Sequence, residues 1–170
     1  MASNLDTLVT IFGGSGFLGR NVVRALCKRD YRIRIAVRRP ELAYHLQPAG
    51  KVGQIHPVQA NVRYAESVKR AVDGADAVVN LVGILAEGGK QSFDAVQAEG
   101  ASNIARAASA EGITRLVQIS AIGADPNSES VYARTKAQGE VAALSAVPGA
   151  VVMRPSIVFG PEDSFFNRFA

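Results

Sequence analysis

The sequence predicts a doubly wound α/β fold, a three-layer arrangement around one mostly parallel sheet. Three observations carry this. Short β-branched runs alternate with longer helical stretches along the whole chain, several runs are apolar on both faces, and a glycine-rich turn joins the first run to the first helix. The strand-like runs fall at residues 8–12, 32–37, 55–59, 77–82, 116–120 and 150–154. The helical stretches between them fall at 17–28, 65–72, 92–110 and 131–146, with a short helix or loop at 41–47. Residues 77–82 read Ala-Val-Val-Asn-Leu-Val, the near-continuous apolar pattern of a strand covered on both sides. Repeated strand–helix–strand units require right-handed crossovers, hence parallel neighbours. Glu111-Gly112 reads as a helix stop, with Gly112 at the left-handed cap position.

Composition narrows the class. At 170 residues with 48% apolar content, the chain is one domain with a core of useful size. A single cysteine, Cys27, excludes a disulfide framework and a cysteine-based zinc site, and its place in the first helical stretch suits a small core filler. His45 and His56 have no ligand-spaced partner, so no metal site is expected. No apolar run reaches the roughly 18–20 residues of a membrane span. The first strand begins so early that no signal peptide is expected. The apolar stretch ending in Phe165, Phe166 and Phe169 is expected to start a helix of a C-terminal substrate region that the chain lacks.

The net charge of +4 is local in origin. Residues 20–39 hold eight Arg and Lys against the single acid Asp30, a net +7, so the remainder is slightly acidic at −3. Lacking interleaved aromatics, this block is not expected to bind nucleic acid. It is either a solvated helix face or a field for a bound anion.

The glycine turn favours the anion. Gly13-Gly14-Ser15-Gly16-Phe17-Leu18-Gly19 follows a strand and opens a helix, the setting in which Gly-x-x-Gly-x-x-Gly marks a Rossmann dinucleotide site. Gly13 permits the tight turn, Gly16 lets backbone approach a pyrophosphate, and Gly19 allows close helix–strand packing. Ser15, Phe17 and Leu18 complete the expected phosphate loop at the start of the helix. At the end of the second strand, where Asp or Glu would hold the ribose 2′-hydroxyl of NAD, the chain has Arg38-Arg39-Pro40. Guanidinium groups pair with a 2′-phosphate, so NADP(H) is favoured over NAD(H).

Tyr132 and Lys136 stand at i, i+4 on one face of the last helix, where an ammonium could lower the phenol's pKa. Such a pair also arises by chance on amphipathic helices. Following the glycine turn, it resembles the short-chain dehydrogenase/reductase superfamily, and the resemblance covers the whole chain. It implies that Asn61 and Val62 contact the adenine side, that Leu81, Val82 and Gly83 line the coenzyme cleft, and that Tyr132, Lys136 and Pro155 border the nicotinamide end. Val96-Gln97-x-x-Gly100-x-x-Asn103 and Arg154-Pro155 with Phe159-Gly160-Pro161 resemble segments of the extended and atypical branch. In an active member, Tyr132 would be the general acid, Lys136 its partner and Ser120 the hydrogen-bond donor to a carbonyl.

Two departures bear on activity. Ala121 follows Ser120 where many active members have a second serine, and Gln97 replaces the relay asparagine. The segments 16–20, 78–83, 116–125, 132–140 and 159–170 together resemble the family of NADPH-binding accessory subunits of respiratory complex I and their bacterial homologues. That resemblance implies a tightly held nucleotide in a structural or redox-sensing role, with complex I subunits as partners, on the cytoplasmic or matrix face beside the membrane. The alternative is an NADPH-dependent oxidoreductase or epimerase acting on a carbonyl or sugar-type substrate.

Overall fold

The computed structural model describes residues 4–163 and residue 167. Phe165, Phe166 and Phe169, expected to begin a helix, lie outside the described residues. Six strands form one sheet in the order β3-β2-β1-β4-β5-β6: β1 Leu8–Phe12, β2 Arg32–Val37, β3 Ile55–Gln59, β4 Ala77–Asn80, β5 Leu116–Ile119 and β6 Val151–Met153. Every pairing is parallel, in register from Val9 opposite Ile33 on one side of β1 to Val9 opposite Ala77 on the other. The helices are α1 Phe17–Cys27, α2 Ala65–Val72, α3 Glu99–Ala110 and α4 Val131–Ala146, with a 3₁₀ segment at Pro40–Ala49. The α/β fold expected from the alternating pattern is therefore the one observed.

Strand alternation divides the apolar side chains between two cores. Val9, Ile11, Ile33, Ile35 and Val37 meet Val23 and Cys27 of α1 and Leu46 of the 3₁₀ segment. Phe12, Ala36, Val78 and Leu116 point the other way, against Val68 and Val72 of α2, Ile104 and Ala108 of α3, and Ala143 of α4. Two layers of helix thus sandwich the sheet. Polar strand residues have specific work: Thr10 Oγ1 and Arg34 Nη1 both donate to the Ala71 carbonyl, closing the end of α2. Cys27 is buried, its thiol facing Ala49 O and Gln54 Oε1, as a filler should be.

Three boundaries differ from expectation for physical reasons. β4 stops at Asn80 because its side chain turns back to accept from Val82 N at 3.0 Å, bending the chain out of the ladder. The long helix expected at 92–110 begins with a π-helical turn, Asp94–Ala98, before α3 proper. A π turn widens the backbone, and Gln97 lies inside it. The stretch expected at 41–47 is longer and wound as 3₁₀, with Pro48 inside it. The end of α3 matches its expectation: Gly112 has φ +70°, and Ile113 N donates to Ala108 O in the six-to-one bond of a Schellman cap.

Candidate functional site: a dinucleotide cleft

The sheet order reverses direction beside β1, so β1 and β4 leave in opposite senses and open a crevice at their carboxyl ends. A cleft of about 330 Å³ occupies this point, near the lower end of the range for small-molecule sites. Gly13, Ser15 and Gly16 form one wall, Val37 to Arg39 another, Asn61 to Arg63 a third, and Leu81 to Ile84 the floor. Sequence-assigned residues from four separate elements therefore converge.

Gly13 sits at φ +78°, where a side chain would be strained, and its N–H donates to Ala36 O across the sheet. A Cβ on Gly19 would stand 2.3 Å from Gly13 O and 2.6 Å from the Gly14 backbone. The helix therefore leaves directly over the turn, as the third glycine requires. Gly16 caps α1 in extended conformation with no side-chain capping bond, and no acid occupies the first turn. The first N–H groups of the helix and its positive dipole end are thus suited to a pyrophosphate. Phe17 and Leu18, expected in the phosphate loop, are not part of the cleft lining. Their side chains line a separate groove with Val158, Phe159, Pro161 and Glu162.

The floor is held by a buried amide pair: Asn80 Nδ2 donates to Gln118 Oε1 at 2.8 Å, linking the ends of β4 and β5. Past it, Lys136 Nζ donates to Ile119 O at 3.4 Å, and a Cβ on Gly83 would stand 3.2 Å from the same ammonium. Lys136 lies 5.9 Å from the Tyr132 ring centroid, and Tyr132 packs edge-on against Phe93 at 5.7 Å. The helix face expected to pair Tyr132 with Lys136 does so. Ser120, Tyr132, Lys136 and Pro155 all lie outside the lining of the cleft, Lys136 meeting it only beside Gly83; Pro155 is beyond β6, its carbonyl accepting from Ile122 N.

The electrostatics differ from the simplest expectation. Burial lowers the Lys136 ammonium to about 8, partly opposed by the Glu140 carboxylate. Burial raises the Tyr132 phenol above its ordinary value, so the neutral phenol is favoured rather than the phenolate expected from a neighbouring cation. Desolvation is the leading cause at both groups.

Lys136 makes a prediction. Its proton is held less tightly in the folded protein than in the unfolded chain, where lysine titrates near 10.4. The unfolded state then binds more protons between about pH 8 and pH 10, and stability contributed through Lys136 rises with pH across that window. Cys27, whose thiol is raised by burial, pulls the opposite way. Comparing wild type with Lys136→Met isolates the lysine: the variant should lack its share of the rise in melts from pH 7.5 to 10. Parallel curves would refute the assignment.

Sequence reasoning missed Glu140. It continues the series Tyr132, Lys136, Glu140 on one face of α4, is 6% exposed, and accepts from Arg154 Nε at 2.8 Å and Nη2 at 2.5 Å. The i+4 step beyond Lys136 was the available signal. Ser120 Oγ is buried without a well-formed hydrogen bond, though its dipole helps favour the Glu140 carboxylate. Both polar atoms of the Gln97 amide are likewise buried without a hydrogen bond. Gln97 and α4 are in close contact, since a Cβ on Gly139 would lie 2.7 Å from Gln97 O. Also missed were Arg63 and Gln91, which line the cleft.

This donor set fits a dinucleotide. The glycine cradle would hold the pyrophosphate, Asn61 and Val62 the adenine side, and Gly83, Lys136 and the orphaned Ser120 hydroxyl the opposite end. Among the described residues no group of His, Cys, Asp and Glu is arranged to hold a metal ion, and no helix is long and apolar enough to cross a membrane.

Comparison with known proteins agrees. The chain is 32% identical over 96% of its length to the alpha subcomplex subunit 9 of mitochondrial NADH dehydrogenase (ubiquinone) from Dictyostelium discoideum, of which it covers 46%. It is also 32% identical over 96% of its length to a ceramide reductase of Caulobacter vibrioides, of which it covers 50%. The chain thus spans about half the length of these relatives. A solved structure from Bacillus halodurans, described as an NAD-dependent epimerase/dehydratase, superposes with a TM-score of 0.79 at 21% identity, covering 93% of this chain and 74% of that one. That likeness is one of fold. A family model described as NAD(P)H-binding matches residues 13–146, from the first glycine of the cradle to the end of α4, and the chain belongs to that family.

Proposed function

We propose that this domain holds NADPH, as the nucleotide-binding part of an accessory subunit of a complex I-like NADH dehydrogenase. The observation that carries the coenzyme choice is the end of β2. Arg38 lines the cleft there, and the nearest acid, Glu41, is turned onto Arg39 at 3.0 Å instead of facing a ribose. A site for NAD would place a carboxylate at this point. The likeness to the subunit 9 proteins supports the assembly role. Peripheral attachment to a membrane complex on the cytoplasmic or matrix side follows from the same reading.

A second reading, an NADPH-dependent carbonyl reductase, is favoured by the geometry of Tyr132, Lys136 and Ser120 and by the likeness to ceramide reductase. A reduced nicotinamide supplies a hydride equivalent when bound. Ser120 Oγ would orient a substrate oxygen, and neutral Tyr132 would donate the proton that the oxygen takes up. Lys136 would hold ribose hydroxyls and stabilise the phenolate left behind.

Titration with both nucleotides tests the coenzyme: NADPH should bind more tightly, and stronger NADH binding would overturn the assignment. With the full-length protein from its host, co-purification with a respiratory complex supports the subunit. NADPH turnover abolished by Tyr132→Phe would establish the reductase instead.

A further inference from the structure

The connection from β4 to the π turn crosses the adenosine side of the cleft as a small folded hairpin. Gly88 and Gln91 exchange both backbone hydrogen bonds at 3.0 Å, and Gly89 at φ +57° takes the first central position of the turn. Two arginines grip this hairpin at consecutive residues. Arg63 Nη1 donates to Lys90 O and Arg38 Nη1 donates to Gln91 Oε1, each at 2.6 Å. They come from different strands' ends, Arg38 after β2 and Arg63 beyond β3, yet both line the cleft and hold adjacent residues of the one hairpin.

The acceptors there are neutral. Among the described residues neither Arg38 nor Arg63 makes an ion pair, whereas Arg39 is paired with Glu41. Two like charges lining one cleft, each satisfied only by neutral oxygens, favour an anion beside the hairpin. Charge-assisted bonds to a phosphate are roughly twice as strong as bonds to neutral acceptors. Arg63 is held ready: Asn61 Oδ1 accepts from its backbone N–H at 3.2 Å and from Nε at 3.4 Å, and its guanidinium lies 5.6 Å from the Tyr64 ring centroid.

We propose that Arg38 and Arg63, not Arg38 and Arg39, form the 2′-phosphate site, with the Gln91 amide oxygen standing where a phosphate oxygen binds. The inference rests on the NADPH reading and names the residues that set it. NADPH displaces Gln91 from Arg38, while NADH offers nothing to displace it. Gln91 is thus a built-in competitor that lowers affinity for the phosphorylated nucleotide and leaves the other untouched.

Binding of NADPH, NADH, 2′,5′-ADP and 5′-AMP to the wild type and to Arg63→Met, Arg39→Met and Gln91→Leu tests this, with thermal melts confirming that each variant is folded. Arg63→Met should weaken NADPH and 2′,5′-ADP by about tenfold or more, the worth of one hydrogen bond to a charged group. NADH and 5′-AMP should be unchanged. Arg39→Met should leave the preference intact, and Gln91→Leu should strengthen binding of the two 2′-phosphorylated ligands alone. If the wild type shows no preference for NADPH, the coenzyme reading itself fails. If it does and Arg63→Met or Gln91→Leu leaves the ratio unchanged, only the present inference is overturned.

Discussion

Gly19→Ala is expected to abolish useful nucleotide binding and to lower stability. A methyl at this position would sit 2.3 Å from Gly13 O and 2.6 Å from both the Cα and the carbonyl carbon of Gly14. All three are backbone atoms, so no side chain can rotate aside. Alanine in a helix interior ordinarily gains about 1 kcal/mol over glycine, whereas overpacking against fixed atoms costs about 1–3 kcal/mol or more. The clash wins, and the chain relieves it by lifting the start of α1 away from the turn. The N–H groups that face a pyrophosphate then lose their common focus. Affinity for either nucleotide should fall by at least about tenfold, some 1.4 kcal/mol, alongside a lower melting temperature. Unaltered binding with an unaltered melt would mean that α1 does not leave the turn as closely as described.

That cradle was legible in the sequence because glycine spacing reports backbone geometry directly. The strands were legible for a related reason: a strand covered on both faces must be apolar throughout, as residues 77–79 are. What the sequence hid depends on side chains folding back on the chain. Asn80 ends β4 by turning onto Val82 N, which no propensity announces. The π turn around Gln97 is written in an ordinary helical pattern, and the close approach of Gly139 to it comes from a distant part of the chain. Arg63 follows Val62 as one more charged loop residue. Only the hairpin at Gly88–Gln91, arriving from another strand, makes it part of the cleft. Arg38 and Arg39 look equivalent as neighbours, yet one meets a neutral amide and the other a carboxylate. Local pattern fixes elements and cradle; long-range partners decide which charges are available.

The Tyr132 and Lys136 pair beside Gly83 shows the same dependence. A cation four residues from a phenol suggests a lowered phenol pKa, but that inference assumes a solvated ammonium. Lys136 is itself desolvated, its ammonium lowered to about 8, and the phenol responds to its own burial. Glu140, one turn further on, is the group that keeps Lys136 from falling further.

Replacing that carboxylate, Glu140→Gln, should therefore be felt both in stability and in the charge on Lys136. Burial pushes the Glu140 carboxyl up, but hydrogen bonds from Arg154, help from the Ser120 hydroxyl and the charges of Arg154 and Lys136 together hold it below the usual carboxylate range. A group whose folded pKa is lowered contributes stability above its unfolded value, near 4.3 for glutamate, and loses that contribution as pH falls through the folded value. Wild type should accordingly melt well above the variant at pH 7, and the gap should close in acid. A glutamine is nearly isosteric, yet its amide offers one acceptor to a two-pronged guanidinium and turns a donor toward the other prong. Arg154 is half exposed, so water partly compensates it. Lys136 is buried and has no such recourse, and without the carboxylate its ammonium should titrate below about 8. Melting both proteins from pH 3 to 8, with Lys136 followed by NMR, tests the two effects separately. A gap constant across that range would show that Glu140 acts through packing and not through charge, and an unmoved Lys136 would remove it from the electrostatics of the cleft.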